Sequence, residues 1–155
     1  MMSKMIVMRV KPWISDEQAP RPNKDDYYLN IAKAVSLRST CLKRKYGCVI
    51  VKDDEIVSTG YNGSPRGEFN CVDNGYCTRS IYLGDIHGKG YEHCTSVHAE
   101  MNAIISAARK DLHYATAYLY GYDLGLRSAF NPEPCPLCDR LLRNAGIVRV
   151  VTWDL

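Results

Sequence analysis

The stretch Val97-His98-Ala99-Glu100-Met101-Asn102-Ala103-Ile104 decides how the chain is read, together with a later counterpart, Pro134-Cys135-Pro136-Leu137-Cys138. One imidazole and two thiols are divided between the two pieces. A catalytic zinc takes three protein ligands of this kind and keeps its fourth position for water. Cys135 and Cys138 stand at i and i+3, which in the first turn of a helix turns both sulfurs to one face. A helix N-terminus also favours the thiolate, the form that ligates metal. Glu100 lies two residues from His98, too close for both to ligate comfortably, but well placed to move protons to and from a water at the metal. A lone Cys-x-x-Cys fits a redox pair, half of a structural zinc site or a buried pair. A lone helix histidine is more often a satisfied side chain than a ligand. The joint pattern is far more specific than either part.

Composition bounds the rest. At 155 residues the chain is one domain of ordinary size with room for a real core. Its 46% hydrophobic and 24% charged residues are those of a soluble globular protein. The net charge of +3 is mild, and no basic stretch is interleaved with aromatics, so polynucleotide is not the expected partner, while a small anionic substrate is. No apolar run approaches the ~18 residues of a membrane span. The N-terminal apolar patch is too short for a signal peptide. Seven cysteines, an odd number, fit metal binding in a reducing compartment better than disulfides, which points to the cytoplasm.

In chain order, residues 1–22 are expected to form an N-terminal arm with a short strand over 5–10, and residues 23–155 a single domain. Asn23 is expected to start a helix, with Asp25 and Asp26 at its positive end and Tyr28, Ile31, Ala32 and Val35 as its buried stripe. The helix fades near Cys41. Gly47 to Val51 is an apolar strand of the kind buried on both faces. Asp53-Asp54 is a turn, and Glu55 to Gly60 the antiparallel return. Residues 61–95 are irregular, and a loop of that length inside a compact domain is functional or pinned by something. A second helix is expected over 97–109, capped by Ser96, with Met101, Ile104, Ile105 and Ala108 on the sheet. A strand follows over 115–120, then an irregular stretch over 121–133. A third helix runs from Cys135 to Asn144 with Gly146 behind it, and a last strand covers 147–151. This order predicts an α/β fold with three α/β/α layers and a mixed central sheet. The zinc is expected where the second and third helices begin, outside the strand ends.

His-x-Glu joined to Pro-Cys-x-x-Cys is the signature of zinc nucleobase deaminases. In that chemistry Glu100 takes a proton from the attacking water, gives it to N3 of a cytosine, and later protonates the departing ammonia. The resemblance extends further. Arg38 to Cys41, the strand Gly47 to Lys52, the loop Gly60-Tyr61-Asn62-Gly63-Ser64-Pro65-Arg66-Gly67, and the two metal motifs together resemble the deoxycytidylate (dCMP) deaminases, over roughly residues 25–151. The metal motifs mark only the superfamily, and the Gly-Tyr-Asn-Gly loop points to the deoxynucleotide branch. The resemblance implies a cytidine-deaminase-like fold and conversion of dCMP to dUMP for thymidylate synthesis. It also implies a homo-oligomer, often a hexamer, with dCTP and dTTP as effectors in some members. It carries the zinc ligands onto His98, Cys135 and Cys138, the proton shuttle onto Glu100, and substrate contacts onto Asn62 and the backbone N–H of Ala99. Arg38 and Arg66 are the candidates beside the phosphate, each weighed against a solvated surface arginine.

The sequence departs from that family at residues 121–133, longer than the expected strand-to-helix link, and at Tyr46 and Cys48. Two competing functions stand beside it: a deaminase of another cytosine or adenine carrier, and a non-catalytic zinc-stabilised interaction module, against which an intact Glu100 speaks. A second, structural zinc is also expected. With Cys48 read as a small core residue, Cys41, Cys71, Cys77 and Cys94 remain, the number a closed tetrahedral site requires. The resemblance adds that some phage members complete such a site with histidines, so His87 or His93 are alternates for Cys77 or Cys94. The competing reading is a loop with scattered reduced cysteines.

Overall fold

A computed structural model describes residues 5–11, 20–84 and 89–155. Most of the arm expected over 1–22, and His87, lie outside the described residues. Among the described residues the strands are β1 (Val7–Val10), β2 (Arg44–Lys52), β3 (Glu55–Tyr61), β4 (Thr116–Asp123), β5 (Ser128–Phe130) and β6 (Arg149–Trp153). The helices are α1 (Lys24–Ser36), α2 (Cys71–Asn74), α3 (Thr78–Leu83), α4 (Ala99–Ile105), α5 (Arg109–Leu112) and α6 (Pro136–Ala145).

The sheet runs β1-β6-β4-β2-β3, with β5 added to the far end of β4. It is mixed, as expected: β1, β6 and β4 are parallel, while β2 is antiparallel to both β4 and β3. The β2–β3 hairpin turns on Asp53 and Asp54, both left-handed (φ 49° and 66°), the handedness that matches the twist of paired strands. Alternation along the strands sorts side chains between two cores. Cys48, Ile50, Ala117, Leu119 and Val150 face α4 and α6, meeting Ala99, Ala103, Leu142 and Ala145. Val49, Val51, Tyr118, Tyr120, Val151 and Trp153 face α1, meeting Tyr28, Leu29 and Ala32. The three layers follow from that division. Each fully buried Leu or Ile in these layers contributes about 1.5–3 kcal/mol.

Asn23 caps α1 by accepting the Asp26 N–H at 2.9 Å. Two glycines set how close the helices lie. A Cβ on Gly47 would stand 2.0 Å from the Ala32 carbonyl oxygen, and one on Gly60 would stand 2.2 Å from the Ala99 oxygen. Ser58 Oγ donates to the Ala103 carbonyl at 2.7 Å, and Asn102 Nδ2 to that of Tyr61 at 2.8 Å, so β3 grips α4 at three places.

Three expectations are corrected. Helix α4 is shorter than 97–109 and begins after His98, which takes the cap position in place of Ser96. The reason is Val97, whose N–H and C=O pair with Gly63 at 2.7 and 3.2 Å and hold it extended. Ile105 and Ala108 do not face the sheet: both are exposed, Ile105 by 76%. Ala99 and Ala103 are the residues pressed on the strands, and Ile105 stands about 200° around the helix from Ala103. Residues 121–133 are not irregular throughout, because β4 continues to Asp123 and β5 returns along it, Gly121 opposite Phe130.

Candidate active site

His98 caps α4 and Cys135 caps α6, so the two helix N-termini converge on the expected spot. Pro136 opens α6 with φ already suited to a first helical position, and Gly146 (φ 90°) closes it. His98 Nδ1 lies 3.3 Å from the Cys138 sulfur and 3.6 Å from that of Cys135. These three donors lie within 4.8 Å of one another, the only such group of three or more His, Cys, Asp or Glu among the described residues. The Cys135 sulfur accepts the Cys138 N–H at 3.4 Å, a bond a thiolate accepts well. Burial, then the nearby Glu100 and Cys135, push the Cys138 thiol far up. A divalent cation at the three donors reverses that balance, because its charge stabilises the thiolate. The nitrogen-and-two-sulfur set is one zinc favours.

Glu100 is in the first turn of α4 and 6% exposed. Burial raises its pKa, against a backbone N–H, the His98 charge and Cys138, which lower it. A carboxyl raised in this way both takes and returns protons. Cys48 lies beneath it in the core with its thiol pushed up by burial and then by Glu100, and it stays a small packing residue. Ala99 is the first residue of α4, where backbone N–H groups have no partner within the helix.

Asn62 is buried and fastened to the start of β2. Its Oδ1 accepts the Tyr46 N–H at 2.8 Å, and its Nδ2 donates to the Arg44 carbonyl at 2.9 Å. Arg38 and Arg66 share a cleft of about 210 Å³ with Thr40, Tyr61, Asn70 and Asn102, and none of His98, Glu100, Cys135 or Cys138 lines it.

Next to Asn62 stands a group whose members the sequence did not connect, although Tyr46 and the segment over 121–133 stand out in it as departures. Tyr46 is largely buried, and its pKa is raised by burial, lowered by the Arg44 guanidinium on its hydroxyl, and raised again by Glu100 and Tyr91. Arg44 Nε donates to Asp123 Oδ2 at 3.0 Å, and its guanidinium lies 5.3 Å from the Phe130 ring centre. Only cross-strand register brings these four together, and no spacing in the chain announces it.

All seven cysteines are free thiols. Cys71 is buried, and Cys41, Cys77 and Cys94 are half-buried. Burial raises the Cys94 thiol, the Ser96 backbone opposes it, and the charges of Cys41, Cys77 and Cys71 add to the rise. The Cys41 sulfur accepts the Lys43 N–H at 3.4 Å. The four sulfurs are not drawn together as tightly as the His98 group. His93 instead stacks on Tyr82, ring centres 4.9 Å apart.

A three-layer sheet domain with such a donor set and a buried carboxyl beside it defines a zinc-dependent hydrolase. Residues 22–153 match the family described as the cytidine and deoxycytidylate deaminase zinc-binding region. The deoxycytidylate deaminase of Mycobacterium phage D29 is 39% identical over 136 residues, covering 84% of this chain and 94% of that protein. That of Enterobacteria phage T4 is 31% identical over 157 residues, covering 81% and 77%. That of Schizosaccharomyces pombe is 36% identical over 131 residues, but these make up only 37% of the yeast protein. The dCMP deaminase of cyanophage S-TIM5, crystallised in apo form, superposes with a TM-score of 0.59 at 23% identity over 87% of this chain and 88% of that one, which shows the shared fold. A second structure of that enzyme, in complex with dCMP and dUMP, gives 0.58 at 22% identity over 87% and 86%. The chain belongs to the cytidine and deoxycytidylate deaminase family of zinc-dependent hydrolytic deaminases. No helix among its described residues is long and apolar enough to cross a membrane.

Proposed function

We propose that this chain deaminates dCMP to dUMP, the precursor for thymidylate. The observation that carries the proposal is a buried Glu100 beside His98, Cys135 and Cys138, in a chain alignable with nearly the whole phage D29 enzyme. His98, Cys135 and Cys138 would hold the zinc, which would lower the pKa of a bound water and so supply the nucleophile for C4 of the base. Glu100 takes one proton from the water and delivers it to N3, then takes the second from the new C4 hydroxyl and gives it to the amine, so that C4=O forms as the C4–N bond breaks and ammonia leaves. The Ala99 N–H meets the base carbonyl. Asn62 shapes the site by fixing the start of β2. Arg44, whose carbonyl accepts the Asn62 Nδ2 at 2.9 Å, receives the 5′-phosphate as a guanidinium fork. Arg38 and Arg66 serve an anion in the separate cleft, which suits an effector such as dCTP or dTTP.

The alternatives are a deaminase of another base carrier and a non-catalytic zinc module. Ammonia release from dCMP, deoxycytidine and cytosine-containing oligonucleotides, measured side by side, decides among them. The expected order is dCMP first by a wide margin. Equal kcat/KM for nucleotide and nucleoside refutes the nucleotide reading, and no release from any substrate leaves the module.

We also propose a second zinc at Cys41, Cys71, Cys77 and Cys94, with a structural role. Burial pushes the Cys77 thiol up, but the Ser80 backbone and side chain outweigh it and draw that thiol down, and the Lys43 N–H meets the Cys41 sulfur at 3.4 Å. Metal analysis should give two zinc ions per chain. One ion per chain in fresh, unchelated protein, unchanged in Cys71→Ala, removes the second site. The protein is further proposed to work in the cytoplasm as a homo-oligomer.

A further inference from the structure

We infer that Asp123 and Phe130, both on the β4–β5 hairpin, are positioning residues that hold Arg44 ready for the substrate phosphate. The inference rests on the reading of Arg44 as the phosphate contact. It gives a role to the segment over 121–133, which the rest of the site does not use.

The hairpin is built to hold a guanidinium. Arg44 and Asp123 are direct partners across β2 and β4. Asp123 cannot swing freely, because its Oδ1 accepts the Gly125 and Leu126 N–H groups, each at 3.0 Å, while Oδ2 takes Arg44 Nε at 3.0 Å. The turn itself is tied to β2 by the Leu124 N–H, donated to the Lys43 carbonyl at 2.9 Å. Phe130 is seated just as firmly. Its ring fills the space a side chain at Gly121 would need, 2.7 Å from where that Cβ would stand. The guanidinium lies over this ring, and the Tyr46 ring meets it at 89° with centres 5.5 Å apart. Arg44 is therefore fixed at Nε, covered on one face and touched by the Tyr46 hydroxyl. Holding Nε leaves the outer guanidinium nitrogens as the planar fork that matches a phosphate. An arginine ordered before the substrate arrives does not have to lose its rotamer freedom on binding.

The test is the ratio of kcat/KM for dCMP to kcat/KM for deoxycytidine. It is measured in the wild type, R44A, D123N, F130L and R44A/D123N, with zinc content and Tm followed alongside. Asparagine keeps the acceptor for the turn amides and replaces the oxygen facing Arg44 Nε with an amide NH2, so it removes both the charge and the bond to Arg44. R44A should lower the ratio about 100-fold. D123N should lower it about tenfold and F130L about threefold, through KM for dCMP rather than kcat. The double variant should be no worse than R44A alone, since Asp123 acts through Arg44. The inference is overturned if R44A collapses the ratio while D123N and F130L leave it intact. It is also overturned if D123N costs as much without Arg44 as with it, or lowers both substrates equally together with Tm. A ratio unmoved by R44A itself overturns the Arg44 reading, and the inference with it.

Discussion

Two sets of cysteines on this molecule differ in what holds them. Cys135 and Cys138 ride on the first turn of α6, and His98 on the cap of α4, each helix packed on the sheet by buried alanines and leucines. Their donor atoms lie within 4.8 Å of one another. Cys41 lies in the link between α1 and β2, and Cys71, Cys77 and Cys94 lie on short helical pieces joined to it by few hydrogen bonds, such as Val72 N–H to the Thr40 carbonyl at 3.3 Å and Thr40 Oγ1 to Asn70 Oδ1 at 2.8 Å. Their sulfurs converge less closely. A metal site built on a packed scaffold is assembled before the ion binds, whereas one built on a loop is assembled by the ion, and its binding energy becomes folding energy. The first arrangement suits chemistry, which needs fixed geometry, and the second suits holding a segment in place.

The comparison can be broken most directly at Glu100. Glu100→Gln should lower kcat by about 10²–10⁴-fold while zinc content and Tm stay near wild type. Near-normal turnover in the folded variant removes the proton shuttle and, with it, the claim that this cluster is the chemical one. Chelation sharpens the contrast next. Titration with a metal chelator should abolish activity when zinc leaves His98, Cys135 and Cys138 and, as a separate event, lower Tm when an ion leaves the proposed loop site. Simultaneous loss of both signals with a single ion argues for one site. Cys71→Ala should cost about 5–10 °C in Tm together with one equivalent of zinc.

Smaller effects probe the scaffold. Gly60→Ala places a methyl 2.2 Å from the Ala99 oxygen and 2.4 Å from the Ala103 nitrogen. It should cost about 1–3 kcal/mol and lower kcat by tilting the helix that carries Glu100. Unchanged activity in a Tm-lowered Gly60→Ala would show that the catalytic set tolerates movement of its scaffold. Ser58→Ala removes the hydrogen bond to the Ala103 carbonyl and should cost about 1 kcal/mol, read as a Tm shift of a few degrees with activity retained.

Much of this protein is determined by local sequence. The apolar run Gly47 to Val51 can be satisfied only by burial on both faces, which demands helices above and below it. Asn23 and Gly146 mark helix ends because a cap acceptor and a left-handed residue are local requirements. His98, Glu100, Cys135 and Cys138 are legible because metal and acid–base chemistry restrict both residue type and spacing. The tertiary structure decided what depends on neighbours distant in the chain. Helix α4 starts at Ala99 because Gly63 pairs with Val97, and Ile105 faces outward because Gly60 and Ser58 seat the other side of that helix. Arg44, Tyr46, Asp123 and Phe130 form one group only because β2, β4 and β5 align in a single register. Pairing between strands is set by the packing of the whole sheet, so these residues carry no periodicity or motif to reveal it beforehand.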